Sequence, residues 1–128
     1  MTQKTITTDK APKAVGPYSQ AIEAGGFIYV SGQLGLSPTT QKLVPGGVGA
    51  QAERVIDNIE VILAAAGAGL TDVVKTTVLL ADMNDFQSVN SVYAARFGDH
   101  RPARAAFAVK ALPLGALVEI ETVAYVGR

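Results

Sequence analysis

The chain has 128 residues, 48% of them hydrophobic, with 11 basic and 11 acidic side chains and a formal net charge of zero. That length fits one domain, residues 1–128, with a core of Val, Ile, Leu and Ala, and the charge balance excludes generic attraction to nucleic acid or to an anionic membrane. Cysteine is absent and His100 is the single histidine, which excludes disulfides, thiolate nucleophiles and multi-imidazole metal sites.

The first residues, MTQKTITTDKAP, lack the apolar run of a signal peptide. No stretch of about 18 apolar residues could span a membrane, and a cytoplasmic location is expected. KTITT reads as a short strand. In the loop DKAPKAVGPYS, Pro17 sets Tyr18 on a rigid turn. SQAIEA and FIYVSG read as two strands joined at Gly25-Gly26, a hairpin signal. Ser31-Gly32 ends the second strand, where a ligand could approach the backbone closely. The loop LSPTTQKLVPGGVG follows. Its GGVG lacks the Lys-Ser/Thr of a phosphate-binding loop and reads as a flexible start to a helix.

From Ala52, the apolar positions Val55, Ile56, Ile59, Ile62, Leu63 and Ala66 follow helical spacing, and Gly67 and Gly69 are stop signals. DVVKTTVLLAD is rich in β-branched residues and reads as a strand interrupted by Lys75. Asn84 is the candidate N-cap of a second helix. Phe86, Val89, Val92 or Tyr93, and Phe97 supply its apolar stripe, with Asn90 in its middle. His100, in FGDHRP, reads as a solvated loop histidine. The last segment, RPARAAFAVKALPLGALVEIE, reads as a strand, a Pro/Gly turn and a strand. The order β, β, β, α, β, α, β, β predicts an α+β sandwich, a mixed six-stranded sheet with two helices on one face.

Strand side chains alternate in direction. Arg104, Ala106, Ala108 and Lys110 point one way, and Ala105, Phe107 and Val109 the other. In the last strand Val118, Ile120 and Ala124 oppose Leu117, Glu119, Glu121, Val123 and Tyr125. Symmetric pairing about LPLG puts Arg104 on one face with Glu119 and Glu121, and turns Phe107, Val109, Val118 and Ile120 toward the helices. The Arg/Glu face is too apolar for water and too charged for a core, which calls for a partner, most simply a second copy of the chain.

Arg104 presents a planar fork of donors that fits a carboxylate. Glu119 and Glu121 can accept a proton or hold a water. The combination suits a small carboxylic acid anchored at one end and exposed to a polarised water at the other. An ion pair across strands or across an interface accounts for the same spacing without any catalysis.

The segments APKAVGPYSQAI, FIYVSGQLGL, QAERVIDNIEVILAAAG, DVVKTTVLLADMNDF, VNSVYAARF, RPARAAFAV and LPLGALVEIE, in that order over nearly the whole chain, resemble the RidA (YjgF-type) family of enamine/imine deaminases. The resemblance implies a chorismate-mutase-like fold and a barrel-like homotrimer, with helices outside and three clefts between neighbouring chains. It implies that Arg104 grips the substrate carboxylate and that Glu119 positions or activates water. Tyr18, Ser31 and Asn90 would shape the pocket, and the chain at Gly32 and Ala106 would supply backbone contacts. The implied reaction hydrolyses 2-aminoacrylate-type enamines and imines, products of PLP enzymes acting on serine or threonine, to 2-keto acids and ammonia, with no metal or cofactor.

Two departures from the family pattern stand out. Ala106 replaces a frequent Cys, and the connection before Arg104 is short while SPTTQKLVPGG is long. Two other functions compete: a non-enzymatic module that binds small carboxylic acids, and an RNA-directed translation inhibitor or ribonuclease. The neutral charge and the lack of a basic stripe oppose the second.

Overall fold

The computed structural model describes residues 2–128. Six strands form one sheet: β1 (Lys4–Ile6), β2 (Ala21–Ala24), β3 (Phe27–Leu34), β4 (Val73–Leu80), β5 (Ala103–Ala108) and β6 (Val118–Tyr125). Two helices, α1 (Gly47–Ala65) and α2 (Phe86–Phe97), cover one face. The α+β reading and the element order hold.

Gly25 and Gly26, both at positive φ, close the β2–β3 hairpin by pairing Ala24 with Phe27. Helix α1 starts five residues before Ala52, because Gly46 and Gly47 take positive φ and turn the chain into the helix. Asn84 does not cap α2. Asp82 accepts a hydrogen bond from the Asn84 backbone at the start of a 3-10 turn that feeds the helix.

The strand order is β1-β2-β3-β6-β4-β5, and it corrects the terminal hairpin. β5 and β6 do not pair, because β4 lies between them. β5 runs parallel to β4, and β6 runs antiparallel to it. The reason is the preceding β4–α2–β5 sequence. A strand, a helix and a strand close most readily as a parallel crossover unit, with the helix packed back on the sheet. Residues 109–117 then carry the chain past β4, and the LPLG segment is a 3-10 turn inside that crossing, with Leu114 at φ 61.

The core lies between the helices and the near face of the sheet. Ile28, Val30, Val73, Val78, Val118, Ile120 and Ala124 meet Val55, Ile56, Ile59, Ile62 and Leu63 of α1 and Val89, Tyr93 and Phe97 of α2. The alternation read in β6 holds. The alternation read in β5 meets the opposite faces from those expected. Arg104 pairs with Thr76, whose other neighbour is the buried Thr122, while Phe107 pairs with Leu79, whose other neighbour is Glu119. Arg104 is therefore on the helix-side face, and Phe107, Glu119 and Glu121 are on the open one.

That open face is not built for water. Tyr29, Phe107 and Tyr125 are 49%, 47% and 50% exposed on it, and Lys75, beside Val123, adds charge at its rim. No helix of the described residues is long and apolar enough to cross a membrane.

Candidate active site

Glu119 sits on the open face between Leu34 of β3 and Leu79 of β4. Those apolar neighbours remove water from its carboxyl. Burial, and secondarily the charge of Glu121, hold it above the usual carboxylate range. No cation lies within ion-pair distance of it among the described residues.

The backbone beside Glu119 is shaped by an irregularity. The β3–β6 register slips between Val30 and Gln33, so Ser31 and Gly32 together oppose Glu121. A bulge of this kind re-aims side chains on the strand that carries it. Ser31-Gly32 does not end the strand, as expected from sequence, but bends its middle. A Cβ at Gly32 would overlap Glu119 Oε2 and lie 3.0 Å from its Cδ. Glycine is what lets the carboxylate lie against the backbone.

Ser31 spends its hydroxyl on the Ser19 carbonyl at 2.6 Å, and its N–H donates to the Gln20 carbonyl. Both bonds fix the loop that carries Tyr18. The Tyr18 N–H donates to the Gly16 carbonyl across Pro17, a tight three-residue turn. Gln20, buried at 4% exposure, ties down the N-terminal arm: its amide donates to the Thr8 and Pro12 carbonyls and its oxygen accepts from the Thr8 N–H. Tyr18, Gly32, Leu34, Leu114 and Glu119 line a cleft of about 530 Å³.

Arg104 belongs to a second cleft, of about 540 Å³, with Asn90, Tyr93, Arg101 and Pro102. Its Nη1 donates to Asn90 Oδ1 at 2.8 Å, and its guanidinium carbon lies 4.9 Å from the Tyr93 ring centre and 5.5 Å from that of Phe86. No carboxylate is within ion-pair distance among the described residues. Ala106 lies two residues along on the same strand face. Val109 donates its N–H to Leu80 of β4. Strand alternation then turns the N–H groups of Ala105 and Phe107 inward and those of Arg104 and Ala106 to the free sheet edge.

The structure thus gathers the expected residues into two groups. Tyr18, Gly32 and Glu119 share one cleft, with Ser31 bracing its wall. Arg104 and Asn90 share the other, on the opposite side of the same sheet, and Ala106 lies two residues beyond Arg104 on the edge strand without lining it. His100 is in neither. It is half-buried with Nε2 2.6 Å from the Val73 carbonyl, not a solvated loop residue. Among the described residues no cluster of three His, Asp or Glu side chains could hold a metal ion.

The family described as Endoribonuclease L-PSP matches residues 8–126. The chain belongs to that family, the RidA/YjgF family that its motifs resemble. A mouse relative named 2-iminobutanoate/2-iminopropanoate deaminase is 54% identical over 125 residues, covering 98% of this chain and 93% of the relative. The crystal structure of RidA from the Antarctic bacterium Psychrobacter superposes with a TM-score of 0.92 at 52% identity, over 95% of this chain and 98% of that one. E. coli TdcF with bound serine superposes with a TM-score of 0.91 at 38% identity, with the same coverage.

The sequence assigns Phe86 and Tyr93 only to the apolar stripe of α2, whereas the structure sets both rings against Arg104. Their signal was present: Phe86, Asn90 and Tyr93 are spaced i, i+4 and i+7 on α2, which places them on one stripe of the helix.

Proposed function

We propose that this RidA-family chain is a deaminase of 2-imino acids, releasing 2-keto acids and ammonia. The observation that carries the reading is Arg104, a guanidinium held in place by two rings and an amide but left without a carboxylate among the described residues. Its remaining donors suit the carboxylate that every 2-imino acid carries. The relative named for 2-iminobutanoate and 2-iminopropanoate fits the same chemistry.

Arg104 and Glu119 lie on opposite sides of one sheet, so a site that uses both takes them from different subunits. A homotrimer supplies this arrangement and covers the apolar open face. The Arg104–Asn90–Ala106 edge of one subunit meets the Tyr18–Gly32–Glu119 cleft of its neighbour. The Arg104 fork and the Ala106 N–H bind the substrate carboxylate. Ala106 acts through its backbone, so the frequent Cys is not required.

Water held by Glu119 adds through its oxygen to the C=N carbon, and the carboxylate takes one water proton and passes it to the nitrogen. The product is a neutral tetrahedral carbinolamine. Glu119 then takes the hydroxyl proton and delivers it to the amine as the C=O bond forms, so the C–N bond breaks and ammonia leaves the 2-keto acid. A carboxyl kept above its usual range is suited to both halves of that transfer. Substrates of the 2-aminoacrylate type, formed from serine or threonine by PLP enzymes, enter after the enamine tautomerises to the imine. The electrophile is supplied by the substrate, and the enzyme contributes orientation, proton transfer and charge stabilisation.

The test is 2-keto acid release from 2-aminoacrylate generated in situ by a serine dehydratase. The wild-type protein should accelerate it, and Arg104→Ala should not. A wild-type rate equal to buffer would falsify the assignment.

A further inference from the structure

We infer that Tyr93 is a positioning residue for the deamination site: its ring is a fixed platform that aims the Arg104 guanidinium at the substrate carboxylate. The inference rests on Arg104 being that anchor.

Tyr93 is 7% exposed, and its hydroxyl lies 2.7 Å from Thr76 Oγ1, itself 1% exposed. Thr76 is in β4, directly beside Arg104 of β5. The phenol is thus fastened to the same strand pair that presents the arginine. Its ring also packs against the buried Phe97 with centres 4.5 Å apart. A ring held at both ends gives the guanidinium a surface that cannot tilt. Phe86 adds a second ring, and Asn90 takes Nη1. Nη2 and Nε are left as the edge available to a carboxylate.

The platform also leaves the arginine's charge unspent. Burial pushes the Tyr93 hydroxyl above its ordinary range, against smaller opposing effects of the Thr76 hydrogen bond and the Arg104 charge. The ring therefore stays neutral. It attracts the cation through its π face without competing as a counter-ion. A carboxylate in the same place would orient the guanidinium and also occupy it.

The test compares Tyr93→Phe, which keeps the ring and loses the tether, with Tyr93→Leu, which loses the ring. Kinetics with 2-iminobutanoate should show KM raised on the order of tenfold in Tyr93→Leu, with kcat nearly unchanged, and raised by a smaller factor of about two to three in Tyr93→Phe. Arg104 guanidinium NMR, assigned through Arg104→Lys, reads the platform without any turnover. Hindered rotation of the guanidinium is expected in wild type, faster rotation in Tyr93→Phe and free rotation in Tyr93→Leu. A freely rotating Arg104 in the wild-type protein overturns the inference. So does equal loss in both variants that tracks a loss of Tm. An inactive wild type with a hindered Arg104 would remove the proposed function and leave the platform standing.

Discussion

Two arginines flank the α2 layer, Arg96 carried by α2 itself and Arg104 packed against it, and they are treated in opposite ways. Arg96 points across to α1, where Glu53, Asp57 and Glu60 all lie within 3.2 Å of its guanidinium. Arg104, on β5, packs against α2 and finds rings and an amide. The carboxylates divide in the same way. Those of the helix layer share Arg96, while Glu119 on the sheet has no cation within ion-pair distance among the described residues and is held protonated to a higher pH by burial. Charges that hold the helices together are neutralised within the chain. Charges at the clefts are fixed in place and left open, which lowers stability and leaves them free for a ligand.

The contrast is broken most severely at Glu119. Glu119→Gln should lower kcat by about 10²–10⁴, the range for loss of a positioned acid–base, measured with 2-iminobutanoate. The same variant should be more stable than wild type at neutral pH. A carboxyl whose folded pKa is raised contributes stability fully below its unfolded pKa of about 4.3 and loses it as pH rises through the folded value. Gln removes the half-buried charge, so the gain in Tm should shrink to nothing as the pH falls below about 4. A variant that loses stability at pH 7 would contradict a half-buried carboxylate without a cation among the described residues.

Arg104→Ala comes next, with kcat/KM down on the order of a hundredfold or more and Tm little changed. Refolding it together with Glu119→Gln tests whether the site is shared between subunits. Under closed threefold symmetry, random mixing leaves one intact site in most trimers and restores about a quarter of wild-type activity. No recovery would place both residues in one chain's site. Gly32→Ala should cost roughly tenfold in kcat, because the new methyl pushes the Glu119 carboxylate from its seat.

The helix-layer arginine gives the reverse pattern. Arg96→Met should cost about 1 kcal/mol in urea unfolding, the scale of an exposed ion-pair network, with activity intact. The smallest effect is expected from Glu121→Gln. Removing that negative neighbour eases ionisation of Glu119 and moves the acid limb of the pH–rate profile to lower pH.

What could be read from the sequence was local. Helical spacing marked both helices, the two glycines at positions 25 and 26 marked the hairpin, and alternation in the last strand separated Glu119 and Glu121 from Val118 and Ile120. The motif pattern pointed to the family and to Arg104, Asn90, Tyr18, Gly32 and Glu119. The pairing of the strand carrying Arg104 was not local. A Pro/Gly turn between two strands suggests a hairpin, but α2 returns β5 beside β4, and β4 then separates the final two strands. That one topological step decides which side of the sheet each group occupies. Alternation fixes the direction of a side chain relative to its own strand. Only the packed sheet fixes which face is covered by helices, and it put Arg104 and Glu119 on opposite sides. The stretch that reads as one hairpin is two strands separated by β4, with Arg104 and Glu119 in different clefts.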